Sequence, residues 1–138
     1  MSAGGGLPPL RPAADEGAPP HDVAHYLRPG TLQLTAMPPL SLYVHLPWCL
    51  RKCPYCDFNS HELRSGELPE AGYVDALVAD LEAALPLVWG RCIETVFIGG
   101  GTPSLFSPEA IDRLLAAVRA RLQLVPGAEI TLEANPGT

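Results

Sequence analysis

From residue 41 onward the apolar positions change period in a regular order. Residues 41–46 form a short, partly β-branched and aromatic run bounded by prolines, the pattern of a buried strand. Val74, Leu77, Val78, Leu81 and Leu85 then recur at helical intervals, with Pro69 near the start and Pro86 at the stop, which predicts an amphipathic helix. Thr95, Val96, Phe97 and Ile98 predict a second buried strand, running straight into Gly99, Gly100, Gly101, Thr102 and Pro103. Ser107 suits an N-cap, Pro108 the first helical position and Glu109 the positive end of the helix dipole. Ile111, Leu114, Leu115, Val118 and Leu122 share one face of the helix that follows, with Arg119 and Arg121 in its last turn. Val125, Pro126 and Gly127 predict a turn, and residues 130–133 a third strand ending before Asn135 and Pro136.

Strand, loop and helix therefore alternate, which implies an α/β fold with parallel strands and crossover helices. No internal repeat goes beyond this alternation. Three strands are few, since a complete (β/α) barrel takes about 250 residues. The last strand is followed only by a short polar end at Thr138, so the expectation is the N-terminal part of a larger domain with uncovered sheet edges.

Residues 1–40 read differently. They hold eight of the sixteen prolines, with Gly4, Gly5 and Gly6 in a row, and so predict a flexible Pro/Gly-rich leader whose His21, His25 and Tyr26 are solvated. The domain proper then covers residues 41–138. An apolar fraction of 47% with 17% charged residues describes a globular chain. A net charge of −6 offers no basic footprint for nucleic acid, and no run reaches the length of a membrane span. A cytoplasmic protein is expected, in a compartment that keeps thiols reduced. Cys92, alone between Arg91 and Ile93, is expected to be a small buried apolar residue.

Cys49, Cys53 and Cys56 carry the chemistry. Three thiols in so short a loop do not pair off as disulfides, and a reducing compartment favours a metal or iron–sulfur centre. The C-x3-C-x2-C spacing can wrap three corners of a [4Fe–4S] cube and leave the fourth iron without a protein ligand. The alternative is structural zinc, closed as a Cys3His set by His45 or His61. Arg51 and Lys52 favour thiolates and offset cluster charge, while Pro47, Trp48, Pro54, Tyr55 and Phe58 can exclude water or simply pack.

This loop, with residues 43–48 before it and Asp57, Phe58, Asn59, Ser60 and His61 after it, resembles the radical S-adenosylmethionine (SAM) superfamily. Within it the chain is similar to the HemW haem chaperones, relatives of the oxygen-independent coproporphyrinogen III oxidases. The oxidases carry a further Cys two positions after the last ligand, where this chain has Phe58, and that departure favours the chaperone branch. The likeness covers about residues 41–138 and implies the N-terminal part of a radical SAM partial (β/α) barrel.

The resemblance also implies roles for single residues. Cys49, Cys53 and Cys56 would bind the cluster, and Gly100, Gly101 and Thr102 match the glycine motif that holds the amino-acid end of SAM. Tyr43, six positions before Cys49, matches a SAM-contacting tyrosine, and Tyr55 a position lining the site. Glu133, at the end of the third strand, would accept hydrogen bonds from a ribose or an ammonium. Plain readings stay open: a core tyrosine for Tyr43, a turn for the glycines and a solvent-facing carboxylate for Glu133.

At the level of function the likeness implies a [4Fe–4S] cluster, SAM chelated to its open iron, and haem bound downstream of this segment. Partners would be a flavodoxin- or ferredoxin-type electron donor and a haem-accepting protein. Whether SAM is cleaved in turnover stays open. The competing readings are a coproporphyrinogen-type oxidase acting on a porphyrinogen propionate and a zinc-bound structural module.

Overall fold

The computed structural model describes residues 28–30, 35–64, 66 and 68–137. The chain divides into two units, Met1–Met37 and Pro38–Thr138. Of the first, residues 28–30 and 35–37 are described and are exposed; His21, His25, Tyr26 and most of the expected leader lie outside the described residues.

The second unit is built on three strands, β1 (Leu40–Leu46), β4 (Cys92–Gly100) and β5 (Gln123–Leu132). They form one parallel sheet in the order β1-β4-β5, as the alternation of elements requires. Side chains alternate across a strand, so Val44 and Leu46 of β1 and Val96 and Ile98 of β4 point to one face and form the core. Helix α1 (Glu70–Val88) covers that face with Val74 and, partly buried, Tyr73, Leu77, Val78, Leu81 and Leu85. Helix α2 (Pro108–Arg121) adds Ala110, Leu114 and Val118. Leu46 and Ile98 are fully enclosed, each burial being worth about 1.5–3 kcal/mol.

Both helices pack into this one core, and the other face of the sheet is left open among the described residues. Register sets Tyr43 beside Phe97, Phe97 in turn beside Thr131, and His45 beside Gly99. Tyr43 and Phe97 stack at 6.2 Å between ring centroids and are exposed.

Local chemistry explains the second helix start. The Ser107 hydroxyl caps α2 by accepting the Ala110 amide at 3.2 Å, Pro108 opens the helix and Glu109 lies in its first turn. A longer-range contact adds to it: Glu70, first residue of α1, takes the Ser107 amide and the Ser107 hydroxyl on its two carboxylate oxygens, each at 2.6 Å.

Three expectations are corrected. Pro86 does not stop α1, which runs on to Val88. Proline removes one amide near the helix end, while Leu85 and Val88 still gain burial against the core. Val125, Pro126 and Gly127 do not separate turn from strand but lie inside β5, where the register jumps between the pairs at Ile93 and Thr95. Gly127, with φ at +79°, lets the chain make that bulge. Cys92 is exposed, because it starts β4 one position before buried Ile93 and faces away from the helices.

Candidate functional site

Parallel strands bring their carboxyl ends to one edge of a sheet. Here that edge gathers the loops after Leu46, Gly100 and Leu132, which carry the three cysteines, the glycine motif and Glu133.

Two short strands outside the main sheet clamp the cysteine loop. β2 (Trp48–Cys49) pairs in parallel with β3 (His61–Glu62), Trp48 beside His61 and Cys49 beside Glu62. The His61 amide donates to Pro47 at 2.7 Å and the Leu63 amide to Cys49 at 2.8 Å, so the loop is closed at its base. Within it the Cys56 amide turns back onto the Cys53 carbonyl at 3.0 Å. Cys49 and Cys56 are half-buried and Cys53 is exposed.

The outgoing segment, residues 58–60, is fastened at three successive carbonyls. Lys52 Nζ donates to Phe58 at 3.4 Å and to Ser60 at 3.1 Å. His45 Nε2 donates to Asn59 at 2.7 Å. A carbonyl can only accept, so Nε2 carries the hydrogen, and in the neutral ring Nδ1 accepts from the Tyr43 hydroxyl at 2.8 Å. His45 thus ties the open sheet face to the cysteine loop.

Beneath the loop, Trp48 meets Tyr73 edge-on at 4.6 Å, with Phe106 at 5.9 Å from Trp48. The Tyr73 hydroxyl donates to the His45 carbonyl at 2.8 Å. Burial, and after it neighbouring Tyr43, raise the Tyr73 hydroxyl above its ordinary pKa of 10.0. Tyr55, by contrast, is 84% exposed at the loop tip. Its hydroxyl is raised above 10.0 by its hydrogen bond to Cys53 and by the charge of that thiolate.

The glycine motif packs directly on the cysteine loop. The Gly101 amide donates to Leu46 at 2.9 Å and the Thr102 amide to Trp48 at 2.7 Å. A Cβ at Gly101 would lie 2.6 Å from the Trp48 carbonyl oxygen and 2.8 Å from Pro47, so only glycine allows this approach. Gly100, at φ +120°, lies against the His45 ring and donates its amide to Glu133 Oε2 at 3.2 Å. Glu133 in turn donates its own amide to Ile98 at 3.0 Å. Between residues 101–103 and 133–136 opens a cavity of about 490 Å³.

The structure therefore brings Cys49, Cys53, Cys56, Gly100, Gly101, Thr102 and Glu133 to one edge, with Tyr43 reaching it through His45 and Tyr55 at the loop tip. The amides of Gly101 and Thr102 are bonded within the chain, and the Glu133 carboxylate holds Gly100. Ser60 and Tyr73 belong to the site although sequence reasoning gave them no role, and His45, which the sequence offered as a fourth ligand of a zinc site, instead fastens the cysteine loop to β1. The i, i+2 spacing of Tyr43 and His45 on one strand face was a signal for His45; nothing local marked the other two.

Whether these residues fit a cluster follows from the donor set. Among the described residues, no three Cys, His, Asp or Glu side chains converge as ligands of a single ion would. Both ring nitrogens of His45 are engaged, which leaves it unable to complete a Cys3His set as it stands. A cubane offers three separate iron corners, so its cysteines need not meet at one point. Sulfur donors flanked by Arg51 and Lys52 in a clamped loop suit that larger, negatively charged group.

Comparison with known proteins agrees with this geometry. The family model described as the radical SAM superfamily matches residues 43–138. The chain is 58% identical over 105 residues to the heme chaperone HemW of Escherichia coli K12, covering 76% of this chain and 28% of that protein. It is 52% identical over 106 residues to HemW of Haemophilus influenzae, covering 74% and 27%. Against the bovine mitochondrial radical S-adenosyl methionine domain-containing protein 1 it is 40% identical over 126 residues, covering 91% and 26%. Among solved structures, coproporphyrinogen III oxidase (HemN) from Escherichia coli, a radical SAM enzyme, aligns with a TM-score of 0.65 at 37% identity, over 71% of this chain and 22% of that one. The chain thus spans 26% to 28% of the length of these curated relatives. With its parallel α/β sheet and its three-cysteine loop at the strand ends, this chain belongs to the radical SAM superfamily.

Proposed function

We infer that this segment holds a [4Fe–4S] cluster on Cys49, Cys53 and Cys56, binds SAM beside it, and serves a protein that binds haem and hands it to an acceptor. The single observation that carries the reading is the clamped three-cysteine loop packed on the glycine motif at one sheet edge. The named function of the HemW relatives supports the haem role.

A bound cluster with SAM supplies one-electron reductive chemistry at a sulfonium. The protein's share is to position and to exclude water. Trp48, Tyr73 and Phe106 back the loop with apolar surface. Gly101, Thr102 and Glu133 line the cavity between the ends of β4 and β5. Together with Gly100, Tyr43 and Tyr55 they are the SAM contacts that the family likeness supports, with Glu133 offering its remaining acceptor capacity to a ribose hydroxyl or an ammonium. A flavodoxin- or ferredoxin-type donor would supply the electron, in a cytoplasmic setting that keeps the thiols reduced. No helix among the described residues is long and apolar enough to cross a membrane.

A coproporphyrinogen-type oxidase is the second reading, favoured by the likeness to HemN. Anaerobically reconstituted full-length protein decides between them. Haem retention and transfer without porphyrinogen decarboxylation is the expected result; decarboxylation overturns it. Iron and sulfide are expected in the parent protein and in Cys92→Ala, and absent from Cys49→Ala, Cys53→Ala and Cys56→Ala. Zinc without sulfide in the parent would refute both radical SAM readings.

A further inference from the structure

Among the described residues Ser60 is the buried polar side chain, 4% exposed, and its hydroxyl lies against a cysteine. It has two neighbours: the Phe58 carbonyl at 3.4 Å and Cys56 Sγ at 3.6 Å. An O–H···O bond normally spans about 2.5–3.0 Å, so the carbonyl holds the hydroxyl weakly. That carbonyl also takes the Ser60 amide at 2.7 Å and Lys52 Nζ at 3.4 Å. A buried hydroxyl gains most by turning to a strong acceptor, and an ionised acceptor makes bonds roughly twice as strong as a neutral one. The backbone has no such freedom. Ser60 is fixed by its amide bond to Phe58, by Lys52 at its carbonyl, and by the His45 and His61 bonds on either side. Rotation about the Cα–Cβ and C–O bonds is what remains.

The geometry points to Ser60 as a positioning residue whose hydroxyl donates to the Cys56 sulfur when that sulfur ligates a cluster, and so raises the cluster's reduction potential. This rests on the reading of Cys49, Cys53 and Cys56 as cluster ligands. The cause is electrostatic. A hydrogen bond to a ligand sulfur withdraws charge and stabilises the more negative, reduced form. It also makes the three corners unequal, since among the described residues the buried polar side chain lies against Cys56, while Cys53 is exposed.

The test is an EPR-monitored redox titration of anaerobically reconstituted full-length protein without SAM, parent against Ser60→Ala and Ser60→Thr. The one-electron reduction equilibrium should fall about tenfold in Ser60→Ala, a shift of about 59 mV to more negative potential, and return in Ser60→Thr. Electron–nuclear double resonance in deuterated water should show an exchangeable deuteron in the parent that Ser60→Ala lacks. A purely structural serine would change iron content and leave both readouts alone. An unchanged potential in cluster-loaded Ser60→Ala overturns the inference and leaves the cluster reading standing. Where Ser60→Ala holds no cluster, the parent's deuteron signal decides, and its absence overturns the inference. A parent protein without iron and sulfide overturns both.

Discussion

Replacing Gly101 by alanine tests the packing of the glycine motif on the cysteine loop. The added Cβ would meet backbone on every near side: the Trp48 carbonyl oxygen at 2.6 Å and the Pro47 carbonyl carbon and oxygen at 2.8 Å. The first of these is about 0.8 Å short of ordinary van der Waals contact, and no flexible side chain can yield. Relief must come from moving residues 47–48 away from residues 101–102, which stretches the Gly101–Leu46 and Thr102–Trp48 bonds now at 2.9 and 2.7 Å. Losing much of two hydrogen bonds costs about 0.5–1.5 kcal/mol each, and overpacking adds about 1–3 kcal/mol. A loss of about 3 kcal/mol follows, which lowers a urea midpoint by about 1–3 M for typical slopes. Equilibrium urea unfolding of parent and Gly101→Ala measures it, with iron content after anaerobic reconstitution expected to fall in parallel. Gly72→Ala is the control, since nothing lies within 4 Å of its Cβ in α1; stability should hold or rise by up to about 1 kcal/mol. An unchanged midpoint and full iron content in Gly101→Ala would refute the packing argument.

Further outcomes follow from single contacts. Lys52→Met removes both bonds to the Phe58 and Ser60 carbonyls and should cost about 1 kcal/mol, with faster iron loss to a chelator than in the parent. Glu70→Ala strips Ser107 of two 2.6 Å bonds and should cost about 2 kcal/mol, read as a lower urea midpoint and faster amide exchange at the start of α2. Tyr73 has its pKa raised from 10.0 chiefly by burial, so the fold prefers the neutral phenol. Its contribution is whole below pH 10 and is lost as pH climbs through the raised folded value. Tyr73→Phe should therefore flatten the alkaline loss of stability while costing about 1 kcal/mol at neutral pH for the bond to His45.

Much of this molecule was legible in the order of its residues. The period changes located β1, β4 and both helices, because burial of one face imposes its spacing on any strand or helix that packs on a core. Ser107, Pro108 and Glu109 announced the start of α2, since capping uses groups only a few positions apart. The trio Cys49, Cys53 and Cys56 announced its chemistry for the same reason: ligand spacing within a loop is local.

What only the tertiary structure decided depends on partners far along the chain. Setting His45 opposite Gly99 in the sheet, over fifty residues away, presses the glycine motif against Pro47 and Trp48 and takes up the amides of Gly101 and Thr102. Pro86 stays helical, Cys92 faces outward and β5 carries a bulge because burial and register outweighed local preference at each. Ser60 shows the limit most sharply: a serine after an asparagine in a loop carries no signal of its own, and it meets Cys56 only because Lys52, His45 and Pro47 fold the loop back on itself.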